Sequence, residues 1–296
     1  MKMAKENNNE SSNQAASKEG KSPSDLLCHI DSRGVATLTL NRIDKHNAFD
    51  NALIKSLNKQ LNKLARLAAI RCLILRANGL YFSSGADLNW MQSMAEQSDS
   101  ENRLDADNLA LLMQRLDTFP RPTIAVVQGS AFGGALGLIS CCDITIGTDN
   151  AQFSLSEVKL GLVPATIAPY VCRAIGTRQA RRYMLTAETF DASMAHNLGL
   201  LHILVKSAAE AEPQPDSTKN IVLKAQIDAI VNMILANSPN ALKEAKALCH
   251  LCEHSVINQD LIDQTSQLIA DIRTSKQGQE GVRAFLAKRS PAWRRN

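Results

Sequence analysis

The sequence predicts an α/β fold followed by an all-helical C-terminal part, and three observations carry that expectation. The first lies over 124–147. A β-branched run at 124–127 stops at Gln128-Gly129, Gly133-Gly134 opens an apolar segment of helical length over 135–142, and 143–147 is a second buried-strand run. The second is a repeat of the pattern upstream, where an apolar run at 72–77 leads into a turn at Gly85 and then a helix start. The third is the region beyond Pro213 and Pro215, where four amphipathic helices are expected at 221–235, 239–253, 261–272 and 277–288.

Taken in order, residues 1–24 are rich in Asn, Ser, Gln, Lys and Glu without an apolar run, and predict a flexible tail. They show neither the apolar core of a secretory signal nor the arginines of a transit peptide, which predicts a cytoplasmic protein. Segments 26–30 and 35–40 flank Ser32-Arg33-Gly34 and read as a hairpin. The loop at 41–47 is polar and carries Arg42, Lys45 and His46. Asp50 fits an N-cap, with Leu53, Leu57, Leu61 and Leu64 on one face of a long helix. After the strand at 72–76 and the turn through Gly85, periodicity dissolves over 90–107, predicting a partly mobile stretch before a helix resumes at 109–116. Pro120 and Pro122 end that helix. Helices are further expected at 164–175, at 177–186 and after Asp191, with a strand at 200–205 and a linker over 208–218.

Bulk properties exclude several classes. The 296 residues are 45% hydrophobic, enough for a substantial core, while 33 basic against 29 acidic residues leave a net charge of only +4. Such a balance demands no acidic polymer as partner, and 4% aromatic content argues against stacking platforms for nucleic acid. No apolar stretch is long enough to span a membrane. Seven cysteines, an odd number without a secretion signal, do not suggest a disulfide framework. Cys28, Cys72, Cys141, Cys142 and Cys172 read as small core residues. Cys249 and Cys252, near His250 and Glu253, lack a second ligand pair, so no metal site is predicted and a helix with a buried cysteine face is expected instead. His196 and His202 have no carboxylate or nucleophile at motif spacing and belong to packing.

The glycine turns suggest where chemistry would occur. A helix start carries unpaired N–H groups and a positive dipole end, and glycine lets another molecule approach the backbone. Two such turns can aim two N–H groups at one oxygen. Glu157 follows in S-L-S-E-V-K-L-G-L-V-P (154–164), a carboxylate among Leu155, Val158, Leu160 and Val163, where burial would raise its pKa toward neutrality.

These residues carry a resemblance. The strings L-N-R-I-D-K-H-N-A (40–48), F-S-S-G-A-D-L (82–88), V-Q-G-S-A-F-G-G (127–134), Cys142-Asp143, E-V-K-L-G-L-V-P (157–164) and the tail Q-E-G-V-R-A-F-L-A-K-R-S-P-A-W (279–293) resemble the enoyl-CoA hydratase/isomerase (crotonase) superfamily. The resemblance implies a crotonase-like spiral core of ββα units with a helical C-terminal trimerisation part. The expected division is a tail over 1–24, a core over 25–206, a linker over 207–218 and a helical domain over 219–296. It further implies that the backbone N–H groups of Ala86 and Gly134 hold an acyl-CoA thioester carbonyl, and that Glu157 is the acid/base. Arg42, Ser84, Asp87, Leu88 and Asn89 would line the substrate or CoA, with Arg42 or Lys45 near the CoA phosphates. Family members assemble as trimers or pairs of trimers. No metal, nucleotide or flavin is implied, and CoA enters as part of the substrate.

Two departures stand out. Where the family's hydratases carry a second glutamate that holds water, this chain has Gly137, and Ala165-Thr-Ile-Ala-Pro169 replaces a glycine-rich run. Hydration would then depend on Glu157 for both steps or on a carboxylate of the substrate. The strings G-S-A-F-G-G-A-L-G-L-I-S-C-C-D and L-G-L-V-P-A-T-I-A-P are similar to the methylglutaconyl-CoA hydratase branch of leucine degradation and to isohexenylglutaconyl-CoA hydratases. That implies a branched substrate with a distal carboxylate, 3-methylglutaconyl-CoA first among them. The cation for that carboxylate is not readable; Lys159 is close in sequence. The alternative is an enoyl-CoA isomerase, which needs one glutamate and no held water. A further alternative is RNA binding through Lys288-Arg289 and Arg294-Arg295, a cluster more simply read as a solvated tail or a CoA contact.

Overall fold

The structure is a computed structural model that describes residues 24–206 and 216–294. The expected tail (except Ser24), most of the expected linker, and Arg295 lie outside the described residues. The chain begins with the predicted hairpin: β1 (Leu26–Ile30) runs antiparallel to β2 (Val35–Leu40), with Leu26 opposite Leu40. Helix α1 (Asn51–Arg66) is capped as expected, the Asp50 carboxylate accepting the Leu53 N–H at 2.8 Å, and it buries Leu53, Leu57, Leu61 and Leu64. β3 (Cys72–Ala77) and the short β4 (Tyr81–Ser83) lead to the Gly85 turn.

The stretch over 90–107 departs from the expectation of a mobile segment. It folds as α2 (Leu88–Ala95) and α3 (Asp99–Asp117), joined by a tight turn. Local chemistry explains the difference. Ser98 and Glu101 form a reciprocal capping box, Ser98 N–H donating to Glu101 Oε2 at 2.9 Å. The Trp90 indole N–H and the Asn51 amide both donate to the buried Asp105 carboxylate, tying α2 and the start of α1 to α3. Polar side chains thus pin this region where apolar periodicity is weak.

β5 (Thr123–Val127) is followed by a three-residue strand, β6 (Ser130–Phe132), where the sequence suggested only a turn. Then come α4 (Gly134–Ser140), β7 (Ile144–Thr148), β8 (Gln152–Ser154) and a single 3-10 turn at Glu157–Leu160. α5 (Ala168–Ile175) starts four residues later than expected, after a turn from Pro164. α6 (Thr177–Thr186), β9 (Phe190–Asp191), α7 (Ala192–Asn197) with the predicted Asp191 cap, and β10 (Ile203–Val205) complete the core. The remainder is α8 (Asp216–Ala236), α9 (Pro239–His254), α10 (Gln259–Thr274) and α11 (Lys276–Leu286). Residues 216–218, assigned to the linker from sequence, are already helical in α8.

The main sheet has the order β1-β2-β3-β5-β7-β10, parallel except for the first pair. Its inner strands β3 and β5 are covered on both faces, which is why they read as continuous apolar runs, while the edge strand β1 is largely exposed. Leu73, Leu75, Ala125 and Val127 face one core with α1, α3 and α4, while Cys72, Ile74, Ile124 and Val126 face a second core with Leu223, Val231 and Ile234 of α8. Asp143 joins these parts. Its Oδ2 accepts the Thr123 N–H at 2.8 Å and the Thr123 hydroxyl at 2.9 Å, and pairs with Lys246 of α9. The cysteine expectations hold in part. Cys72, Cys141 and Cys142 are buried, Cys172 is partly so, and Cys28, Cys249 and Cys252 are exposed. Cys28 sits on the outermost strand, and α9 turns its cysteines toward solvent rather than the core.

Replacing Ser98 by Ala removes the cap of α3, and we expect a loss of about 1 kcal/mol in urea denaturation. Ser98→Thr should restore most of it.

Candidate active site

A second, smaller sheet of order β4-β6-β8-β9 places the site. β4, β6 and β8 are parallel, with Tyr81 beside Ser130, Ser83 beside Ala131, Ala131 beside Phe153 and Phe132 beside Ser154. The chain therefore leaves all three strands on one edge. Ala86 follows the end of β4, Gly134 the end of β6, and Glu157 the end of β8. Three residues far apart in sequence meet because short strands are aligned.

The two glycine turns touch. Gly85 has φ 93° and Gly133 has φ 54°, a region closed to most side chains. A Cβ on Gly85 would lie 3.1 Å from the Phe132 carbonyl oxygen, and one on Gly133 would lie 4.0 Å from Gly85 Cα. Neighbouring backbone groups are engaged. Gly85 N–H donates to Ser83 Oγ, Asp87 N–H to Phe49 O, Gly133 N–H to Ser154 O and Leu136 N–H to Gly133 O. Among the described residues, the N–H groups of Ala86 and of Gly134, first residue of α4, take part in none of these bonds.

Glu157 lies against this junction. A Cβ on Gly133 would stand 3.2 Å from its Oε1. Its Oε2 is buried and has no hydrogen-bond partner among the described residues. Burial pushes the Glu157 carboxyl above its ordinary value, only partly offset by a bond to its own backbone N–H. A half-buried carboxyl with one oxygen left without a partner is costly to hold, and such groups are concentrated where protons move.

The other expected contacts divide. The Arg42 guanidinium, 12% exposed, pairs with Asp25, Asp50 and Asp87 and donates to the Ala48 carbonyl at 2.7 Å. Asp87 caps α2 through the N–H groups of Asn89 and Trp90. Its burial alone would raise its pKa, but those bonds and Arg42 outweigh it and hold the carboxyl below its ordinary value. Arg42 and Asp87 therefore brace the turn that carries Ala86. Lys45 is exposed, as are Leu88, Asn89 and Lys159, and Ser84 donates its N–H to His46 O. His202 and His196 are in ordinary local bonds, His202 with Thr145 and His196 with the Leu201 carbonyl. The Arg289 side chain of the C-terminal basic cluster forms a two-pronged pair with Glu280. No group of three or more His, Cys, Asp or Glu among the described residues could hold a metal ion. The cavity of about 580 Å³ between α9 and the core lies away from Glu157, and its charges are internally paired, Lys246 with Asp143 and Arg173 with Asp117 and Glu253.

Gly137 has a physical explanation. A Cβ there would fall 2.3 Å from Ile167 Cγ2 and 3.0 Å from Met113 Sδ. Ile167, at the entrance to α5 and 1% exposed, fills the space into which a side chain at 137 would project. Gly137 and Ile167 thus share one space between α4 and α5.

Two N–H donors beside a half-buried carboxylate suit a carbonyl that gains negative charge while a proton moves. The fold and the match agree on the class: the family profile for Enoyl-CoA hydratase/isomerase covers residues 31–296, and this chain belongs to that family. It is 32% identical over 258 residues to the 2,3-dehydroadipyl-CoA hydratase of Escherichia coli K12, covering 87% of this chain and 94% of that one. Its fold is similar to the crystal structure of an enoyl-CoA hydratase from Shewanella pealeana, with 48% identity, TM-score 0.84, and coverage of 91% and 96% of the two chains. An enoyl-CoA hydratase from Mycobacterium smegmatis is similar at 30% identity and TM-score 0.83, covering 92% of this chain and all (100%) of that one.

Sequence reasoning singles out Ala86, Gly134 and Glu157, which the fold brings to one edge, but misses the small sheet and Phe49, whose backbone and ring adjoin both turns. The available signal was an aromatic residue within each three-residue strand, at Phe82, Phe132 and Phe153.

Gly137→Ala should cost about 1–3 kcal/mol by overpacking, and adding Ile167→Val should recover part of it in a double-mutant cycle of urea midpoints. Glu157 yields a pH prediction. A carboxyl with a raised folded pKa contributes stability below its unfolded value near 4.5 and loses it as pH rises through the folded value. Glu157→Gln should therefore melt higher than wild type at pH 7, with the gain shrinking as pH falls toward 4.5.

Proposed function

We propose that this protein is a hydro-lyase that adds water reversibly to a branched enoyl-CoA bearing a distal carboxylate. The substrate we assign is 3-methylglutaconyl-CoA, giving 3-hydroxy-3-methylglutaryl-CoA. The observation that carries the reading is the unpaired Glu157 Oε2 beside the two glycine turns. In this mechanism the Ala86 and Gly134 N–H groups hold the thioester oxygen. As water oxygen bonds to Cβ, the alkene electrons move toward that oxygen and Glu157 takes the water proton. Glu157 then returns the proton to Cα, and the C=O bond re-forms. Donors fixed in place favour the enolate over the ground state, and the raised pKa of Glu157 suits both halves of the transfer.

The filled space at Gly137 supports a mechanism with one protein carboxylate. A carboxylate on the substrate is supported by the E. coli relative, whose name denotes a carboxylated enoyl-CoA. Lys45, exposed and near the turns in the 41–47 loop, replaces the internally paired Arg42 as our candidate for the CoA phosphates. The reaction in this reading needs no cofactor beyond the CoA of the substrate and takes place in the cytoplasm. Exposed Ile262, Ile269, Val282, Phe285 and Leu286 on α10 and α11 support self-association as a trimer or a dimer of trimers.

The same geometry favours one second reading. With no other carboxylate at position 137, Glu157 can shuttle a proton between C2 and C4, which is enoyl-CoA isomerisation. The two are separated by assaying wild type and Glu157→Gln on 3-methylglutaconyl-CoA and on a straight-chain 3-enoyl-CoA. Hydration of the branched substrate, reduced about 10²- to 10⁴-fold in the variant, is expected. Double-bond migration without hydration would assign the isomerase instead.

A further inference from the structure

Phe49 touches both turns at once. Its N–H donates to the Gly85 carbonyl at 2.7 Å and its carbonyl accepts the Asp87 N–H at 2.8 Å, a parallel bridge that brackets Ala86. In such a bridge the bonded groups belong to the residues on either side, so the N–H of the bracketed residue is directed away from the bridging segment. Ala86 thus has its donor turned outward by Phe49. The Phe49 ring, 2% exposed, lies on the other turn: a Cβ on Gly134 would be 3.5 Å from its Cδ2 and Cε2, ordinary van der Waals contact. The backbone of Phe49 holds one donor and its side chain backs the other.

The segment that carries Phe49 is itself anchored on both sides. Before it, Arg42 bonds to the Ala48 carbonyl and Asn47 donates to the carbonyls of Asn78 and Tyr81. After it, Asp50 caps α1 and pairs with Arg42. A flat ring with two rotatable bonds, set between fixed points, makes a stiff spacer. A flexible chain of similar size would fill the volume without fixing a distance.

We propose that Phe49 is a positioning residue that fixes the separation and direction of the Ala86 and Gly134 N–H donors, acting through them without touching the substrate. This rests on the reading of those two groups as the donors to the thioester oxygen. A plain core role for the ring would alter stability on truncation and leave the donors' effect on a bound carbonyl unchanged.

The test uses butyryl-CoA labelled with carbon-13 at the carbonyl, a saturated thioester that cannot be hydrated, and reads its C=O stretch by isotope-edited infrared spectroscopy. Bound to wild type, the band should fall below its position in water. In Phe49→Ala it should lose half or more of that displacement and broaden, while Phe49→Leu keeps most of it. On the hydration substrate, kcat should drop about tenfold to a hundredfold, less than or comparable to losing one donor outright, with KM changed by less than about threefold. A folded Phe49→Ala protein with the wild-type band overturns the proposal. Absence of displacement in wild type overturns the donor reading beneath it, a separate result. Where Phe49→Ala does not fold, Phe49→Met carries the test: a broadened band supports the proposal and an unchanged one sinks it.

Discussion

Parallel pairing among β4, β6 and β8 is the constraint on which the site depends, because it brings three chain exits to one edge. Each strand is only three residues long, so a shift of register by one residue would move an exit by about 3.3 Å. Hydrogen-bond donors tolerate displacements of only a few tenths of an ångström. The small sheet has little area of its own, and its alignment is enforced from outside. The larger sheet, whose inner strands are covered on both faces, fixes where β3 and β5 end, and β4 and β6 begin a few residues beyond those ends.

Charge is distributed in keeping with that division of labour. Around the Ala86 turn, Arg42 collects three carboxylates and a carbonyl, so its positive charge is locally neutralised and its geometry fixed. Asp105, Asp87 and Asp143 likewise face donors that brace helices or strand starts. Glu157 is the exception, a buried carboxyl oxygen without a partner among the described residues. Breaking a braced pair would disturb structure, whereas the unused lone pair of Glu157 is available to a proton because nothing in the described fold engages it.

Much of this is legible in the sequence. The long strands, the apolar face of α1 and the cap at Asp50 follow from apolar spacing and capping chemistry, and Gly85 and the Gly133-Gly134 pair mark the two turns. The three-residue strands are not legible, since so short a segment holds barely one period of alternation. The helices over 88–117 escape a reading by periodicity because their fixation is polar: the Ser98–Glu101 box and the Asp105 bonds supply what an apolar stripe would elsewhere. The family resemblance offers Arg42 or Lys45 for the CoA phosphates, and a basic residue in a polar loop carries no sign of partners from distant segments that would decide between them. Asp87 and Asp25 become visible as partners of Arg42 only once the chain is folded.

The interlock of Gly137 with Ile167 limits how such a site can drift. Placing a larger residue at 137 while Ile167 remains meets solid hydrocarbon, and trimming Ile167 while Gly137 remains leaves a void between α4 and α5. Both single steps are uphill, and the paired step is the less costly one. The space between α4 and α5 can therefore admit a longer side chain at 137, a carboxylate included, only where Ile167 gives way in the same step.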